Sequence, residues 1–308
     1  MPGRIAIRRL WGGSATRQFA VEHPLQEGTV STAFSHLSYK LYLPRRLARK
    51  PAIIVMLHGC TQTAQDFATG TDMNRLANRH GFIVIYPQQN LSANMNRCWN
   101  WFDRRNQDQS GEPAAIMRMV DDVAEAHDII PDTVFVAGLS AGGALTAIMG
   151  RAYSDRIAGI GIHAGVPAGA AQTVQGAFRA MENGDEGEIG PGPTPAIIFQ
   201  GDADSTVAPA NGDRIAFAPG APVRRRRLLS GWRWCHRYLI APVDEHAHAE
   251  YWLVRGLGHA WSGGRSLGSY TDPRGPSASR EMVRFFLGYS RMAYPWIVIR
   301  LFLTRPFR

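Results

Sequence analysis

Short apolar runs alternate along this chain with stretches in which apolar residues recur every third or fourth position. Residues 52–57 and 82–86 are continuous apolar runs, the pattern of strands buried on both faces, and Pro87 is expected to stop the second. Residues 133–137, 157–162, 196–199 and Ala249–Val254 read as further strands. Ser38-Tyr39-Lys40-Leu41-Tyr42-Leu43 alternates as a half-buried strand does and ends at Pro44. Asp72 is placed to cap a helix with Met73, Leu76, Ala77 and His80 on one face, closed by Gly81. Pro113 opens a second helix, in which Ile116, Met119, Val120 and Val123 follow the spacing of a single helical face. A third is predicted over 277–287, with Met282, Phe285 and Phe286 inward. Between these elements lie a Trp-rich irregular stretch, 94–102, and a Gly/Pro-rich surface loop, 184–195. Strands alternating with helices predict an α/β fold, a mostly parallel sheet with helices on both faces.

Patterning also sets the domain boundaries. Residues 1–35 show no period and read as an N-terminal extension. Residues 36–290 form the predicted domain, and 291–308 a basic, apolar C-terminal tail. That tail is too short to span a bilayer; docking on the domain is its first reading, with contact to a membrane surface or a translation oddity as alternatives. The length of 308 residues, with 45% hydrophobic and 19% charged, describes an ordinary globular chain. A formal charge of +9 comes from 34 basic residues, all arginine except Lys40 and Lys50. They are scattered, which argues against a nucleic-acid partner. The exception, Arg224-Arg225-Arg226-Arg227, reads as a solvated loop. Cys60, Cys98 and Cys235 show no metal-ligand spacing, leaving one disulfide with one thiol, or three thiols. The N-terminus lacks the apolar core of a secretion signal, so a cytoplasmic location stays open.

The chemistry begins at Gly138-Leu139-Ser140-Ala141-Gly142, where an apolar run meets Gly-x-Ser-x-Gly and an Ala/Leu-rich helical stretch follows. This is the pattern of a nucleophile elbow, in which a serine sits on a tight strand-to-helix turn. The alternative is a Gly-rich turn with a solvated serine. A serine nucleophile needs a base, an acid to orient the base, and donors for an oxyanion. In α/β-hydrolases the order is Ser, acid, His. The run Phe199-Gln200-Gly201-Asp202-Ala203-Asp204 offers two acids after a strand, and Gly258-His259-Ala260 a loop histidine after another. Ser140, Asp204 and His259 are therefore the candidate triad. Asp204 is preferred because Gly201 to Val207 fits Gly-x-x-Asp-x-x-Val; Asp202 is then expected to bond the turn backbone. The loop His58-Gly59-Cys60-Thr61 places the oxyanion donors at the amides of Cys60 and Ala141. His58 reads as structural, and His36, His80, His127, His163, His236, His246 and His248 as ordinary surface or core residues.

With these residues stand further boxes: Phe67-Ala68-Thr69-Gly70-Thr71-Asp72-Met73-Asn74, Cys98-Trp99-Asn100-Trp101-Phe102, Gly111-Glu112-Pro113-Ala114 and Gly258-His259-Ala260-Trp261-Ser262-Gly263-Gly264. Across about residues 37–288 the chain resembles the esterase family of poly(3-hydroxybutyrate) depolymerases. The resemblance implies an α/β-hydrolase fold and serine-dependent ester hydrolysis with no metal or organic cofactor. It implies a Cys60–Cys98 disulfide beside the active site and an extracellular or periplasmic location. Trp99, Trp101 and Trp261 would line a substrate groove, or be core tryptophans. The expected substrate is poly(3-hydroxybutyrate)-type polyester or its oligomers. Feruloyl or acetyl esters of plant polysaccharide are the alternative, and a non-catalytic binding protein the distant one. The chain departs from the family pattern at Gln200, where histidine is common, and over the Arg- and Trp-rich residues 214–236. No Thr-rich linker or polymer-binding domain follows, so oligomers, amorphous polyester or small esters are the expected substrates. Oligomeric state is not readable from these residues.

Overall fold

The computed structural model describes residues 25–32, 36–129, 133–244 and 247–288. The readings of residues 1–24, of the C-terminal tail and of His246 fall outside the described residues. In chain order the elements are β1 Gln26–Ser31, β2 His36–Tyr42, β3 Ile53–Leu57, α1 Ala64–Thr71, α2 Met73–His80 and β4 Ile83–Gln88. There follow α3 Gly111–Ala126, β5 Val134–Leu139, α4 Ala141–Ala152, β6 Ile157–His163, α5 Val174–Asn183 and β7 Ala196–Gly201. The last are α6 Pro209–Ala216, β8 Val223–Ser230, β9 Arg233–Ile240, β10 Ala249–Val254, β11 Trp261–Ser262, β12 Thr271–Asp272 and α7 Ala278–Gly288.

Ten strands form one sheet, ordered β1-β2-β4-β3-β5-β6-β7-β10-β9-β8. The six from β4 to β10 run parallel. An antiparallel pair closes each side, β1–β2 on β4 and β9–β8 on β10. The central strands are buried on both faces, which is why their sequences are uninterrupted apolar runs. Alternate residues feed two cores. Ile53, Val55 and Leu57 of β3 face the core shared with α3, α4, α5 and α6. Ile54 and Met56 face the core shared with α1, α2 and α7. The fold is thus an α/β sandwich of three layers.

Four readings change. β4 runs through Pro87 to Gln88. Its pairing with β3 ends at Ile85, and only β2 continues beside it, so the missing N–H of Pro87 interrupts no central ladder. Asp72 caps nothing with its side chain; it takes a left-handed conformation between α1 and α2 and bonds Arg75 at 2.6 Å. The four arginines are solvated but not a loop. They lie in β8, the edge strand, held by backbone pairing to β9. Finally, β1 lies within the segment read as an extension and pairs along β2.

Candidate active site

In a parallel sheet every strand ends on the same edge, so loops that follow neighbouring strands meet there. Cys60 follows β3, Ser140 follows β5, Asp204 follows β7 and His259 follows β10. Registers bring the strand ends level: Leu57 opposite Gly138, Leu139 opposite His163, His163 opposite Phe199, Gly201 opposite Val254.

Ser140 occupies the turn between β5 and α4 with φ 56° and ψ −120°, a conformation that an L-residue adopts only under constraint. Two bonds hold it: its N–H donates to the His163 carbonyl, and its carbonyl accepts from Ala144 N, both at 2.9 Å. The flanking glycines are required by close approach. A Cβ on Gly138 would lie 2.3 Å from the Gly142 carbonyl oxygen, and one on Gly142 would lie 2.2 Å from that of Leu57. Ala141 opens α4, so its N–H has no acceptor within the helix.

The loop after β3 packs against this turn. A Cβ on Gly59 would lie 3.6 Å from the Ser140 Cβ. Gly59 N–H donates to Gln62 Oε1 at 2.9 Å, and Thr61 N–H to the Asn96 carbonyl at 2.6 Å. Cys60 and Cys98 form a disulfide that ties this loop to the Trp-rich one; Cys235 is free and buried. His58 is fully buried: Nε2 accepts from Gln89 N–H at 3.1 Å, so Nδ1 donates to the Gly59 carbonyl at 2.8 Å. Burial lowers its pKa to about 4, so it is a neutral strut beneath the loop.

Asp204 Oδ2 lies 2.8 Å from His259 Nδ1. Its Oδ1 accepts the N–H groups of Thr206 and Val207, each at 2.9 Å, and Gln200 Nε2 lies 3.4 Å from Oδ2. Burial alone would raise this carboxyl; the bond and charge of His259 and the two amides outweigh it and hold it below its ordinary value. The Asp204 side chain is sealed, whereas His259 keeps 14% of its side chain exposed. Asp202 points elsewhere: it accepts Gly256 N–H at 2.6 Å, a bond to the loop after β10 and not, as expected from the sequence, to the backbone of its own turn.

His163 escapes sequence reasoning. Its carbonyl holds Ser140, and its Nε2 accepts the N–H of Ser262, three residues after His259, at 3.0 Å. Its ring stacks on Phe199 and Trp261, and burial lowers its pKa to about 3. The one available signal was its place at the end of a buried strand beside the serine strand. Glu112 is a second such residue: buried, it accepts Gln89 Nε2 at 2.6 Å and Asn100 Nδ2 at 2.8 Å, fixing the Trp-rich loop. The three candidate groove tryptophans are placed in the core. Trp99, Trp101 and Trp261 are 0%, 4% and 1% exposed, and Trp99 and Trp261 spend their indole N–H on His58 O and Ser279 Oγ. The groove reading of these rings is therefore corrected to their core alternative.

A family model described as esterase PHB depolymerase matches residues 37–218, which hold Cys60, Ser140 and Asp204. Poly(3-hydroxyalkanoate) depolymerase C of Paucimonas lemoignei is 37% identical over 185 residues, covering 55% of this chain and 44% of that protein. A probable acetylxylan esterase A of Aspergillus fumigatus is 32% identical over 193 residues, covering 56% of this chain and 51% of that one. The chain thus spans about half the length of the curated relatives it matches. The acetyl xylan esterase of Aspergillus awamori superposes with a TM-score of 0.61 at 20% identity, covering 77% of this chain and 94% of that structure, a likeness of fold. With more than half of its sequence matched by that one family model, the chain belongs to the PHB depolymerase esterase family.

Proposed function

We propose that the protein is a serine esterase that cleaves carboxylic esters through an acyl-enzyme, acting on poly(3-hydroxybutyrate)-type polyester or its oligomers. The observation that carries this reading is the 2.8 Å bond between His259 and the sealed carboxylate of Asp204, on the sheet edge that also presents the Ser140 elbow. In the proposed reaction His259 Nε2 takes the hydroxyl proton as Ser140 Oγ attacks the ester carbonyl carbon. Asp204 holds the ring with Nδ1 protonated and stabilises the imidazolium that forms. The amides of Cys60 and Ala141 bond the tetrahedral oxyanion, each donor contributing about 3–4 kcal/mol. The proton then passes from His259 to the departing alkoxide oxygen. Water, deprotonated by the same histidine, cleaves the acyl-serine and releases the acid.

Ser140→Ala is expected to abolish p-nitrophenyl butyrate hydrolysis while leaving the circular dichroism spectrum unchanged. Undiminished turnover sinks the assignment, and failure of a fluorophosphonate probe to label the wild type would favour a non-catalytic scaffold. Acetyl or feruloyl esters of plant polysaccharide are the second reading, supported by the acetylxylan esterase relatives. Hydroxybutyrate oligomers, acetylated xylan and methyl ferulate, compared by kcat/KM, separate the two.

The proposed catalytic unit is residues 36–290, with β1 added at its edge. An oxidising compartment outside the cytoplasm suits the Cys60–Cys98 disulfide. No helix among the described residues is long and apolar enough to cross a membrane.

A further inference from the structure

The hairpin of β8 and β9 carries the part of the sequence that fits the family pattern least well, and its arginines differ one from another in charge compensation. Residues opposite one another in an antiparallel pair share a face. On one face lie Arg233 and Arg237 of β9, and both are paired: Arg233 Nε bonds Asp272 at 2.6 Å, and Arg237 bonds Glu250 through two nitrogens at 3.0 and 2.9 Å. The register places Arg227 opposite His236, and Leu253 of β10 beside it, on the other face. There a groove of about 220 Å³ is lined by Arg227, Trp234, His236, Leu253, Arg255 and Asp202. Arg227 stacks its guanidinium 4.5 Å above the Trp234 ring, which fixes the head group without neutralising it. Among the described residues, no carboxylate forms an ion pair with Arg227 or Arg255. The groove's own carboxylate, Asp202, has Oδ1 bound to the Gly256 amide, and two guanidinium groups still outnumber it.

We infer that this groove is a subsite for a carboxylate carried by the ester substrate itself. The inference rests on the esterase reading above. A guanidinium presents a planar fork of donors matched to a carboxylate, and a groove of this size takes such a group with the few carbons that bear it. Leu253 and the Trp234 ring supply apolar wall for those carbons. The groove also shares a wall with the catalytic edge. Asp202 is two residues from Asp204, and Arg255 is four residues before His259 on the same loop. Four strand spacings separate β5 from β9, about 19 Å at 4.7–4.9 Å each, so only a substrate of several units fills both Ser140 and the groove. Two substrate classes carry such a group: an oligoester ending in its own free carboxylate, and an acetylated polysaccharide bearing uronate.

The test compares matched pairs by kcat/KM: a hydroxybutyrate tetramer as free acid and as methyl ester, and acetylated xylan with and without uronate. p-Nitrophenyl butyrate, which has no carboxylate, is measured alongside. The wild type is expected to prefer the carboxylate-bearing member of one pair by about tenfold or more, the size of a charge-assisted bond. The pair that shows the preference names the source. The preference should vanish near 1 M salt, where the Debye length is ~3 Å. It should fall to about one in the Arg227→Gln/Arg255→Gln double variant, a ratio that is independent of how much enzyme is active. Turnover of p-nitrophenyl butyrate with both wild-type ratios near one overturns the subsite alone. A preference that survives in the double variant overturns its assignment to these arginines. No turnover of any ester overturns the esterase reading and the subsite with it. The wild-type ratios decide the matter even if the double variant does not fold.

Discussion

Ser140 sits at a backbone geometry that costs of order 1–3 kcal/mol, and its neighbours enforce it. Gly138 and Gly142 cannot accept a methyl group without moving backbone, because the atoms a Cβ would meet are carbonyl oxygens. Gly142→Ala is therefore expected to lower kcat by about 10²-fold through displacement of the serine, measured against the concentration of enzyme that a fluorophosphonate labels. His163 makes a sharper case. It bonds the Ser140 turn through its carbonyl and the loop that carries His259 through its ring. His163→Ala leaves the Ser262 amide without its acceptor; kcat should fall about 10²-fold with KM little changed. His163→Gln, whose amide oxygen can accept the same N–H, should recover part of the loss. Equal losses in the two variants would reduce His163 to simple packing. Asp204→Asn should cost more, about 10⁴-fold, because the amide no longer fixes the His259 tautomer.

Elements differ in how far the sequence announces them. The strands over Ile53–Leu57 and Ile83–Gln88 are readable because burial on two faces leaves no room for a polar residue until their ends. The candidate site is readable for a related reason: Ser140, Asp204 and His259 each follow a strand buried on both faces. β8 is hidden, since both its faces meet solvent and no apolar alternation marks it. Its existence depends on backbone pairing with β9, which side-chain patterning does not record. The roles of His163 and Glu112 are hidden as well, because their partners come from residues 99 and 12 positions away. The arginines of β8 also have a structural use. An open edge strand invites pairing with another copy, and repelling charges oppose it. Arg225→Val/Arg226→Val should raise the concentration-dependent light scattering of the folded protein, and unchanged scattering would count against this role.

At the scale of the molecule, three buried neutral histidines make stability depend on pH. Burial lowers His58 and His248 to about 4 and His163 to about 3, from an ordinary 6.5. Between 6.5 and those values the unfolded chain binds protons that the folded chain refuses, so stability rises with pH there and falls as pH drops. Each histidine contributes a slope of about 1.4 kcal/mol per pH unit inside that window. Asp204, held below its ordinary value, adds a loss of the same sign at lower pH, as it too becomes protonated. Urea midpoints are expected to be flat above about pH 7 and to fall steeply from 6.5 towards 4. A flat profile across that window would show that these histidines are not buried as neutral groups.

The Cys60–Cys98 disulfide, finally, closes a covalent ring that contains α1, α2 and β4. The exposed turn at Leu91 and Met95 lies inside it. A protease that cuts there opens the ring but releases nothing, since both new ends stay joined through the two sulfurs. The nicked molecule would migrate as one species until a reductant divides it into two fragments. The Cys60 loop would remain fastened beside Ser140, so a clip at this exposed turn should leave ester turnover unchanged until the reductant is added.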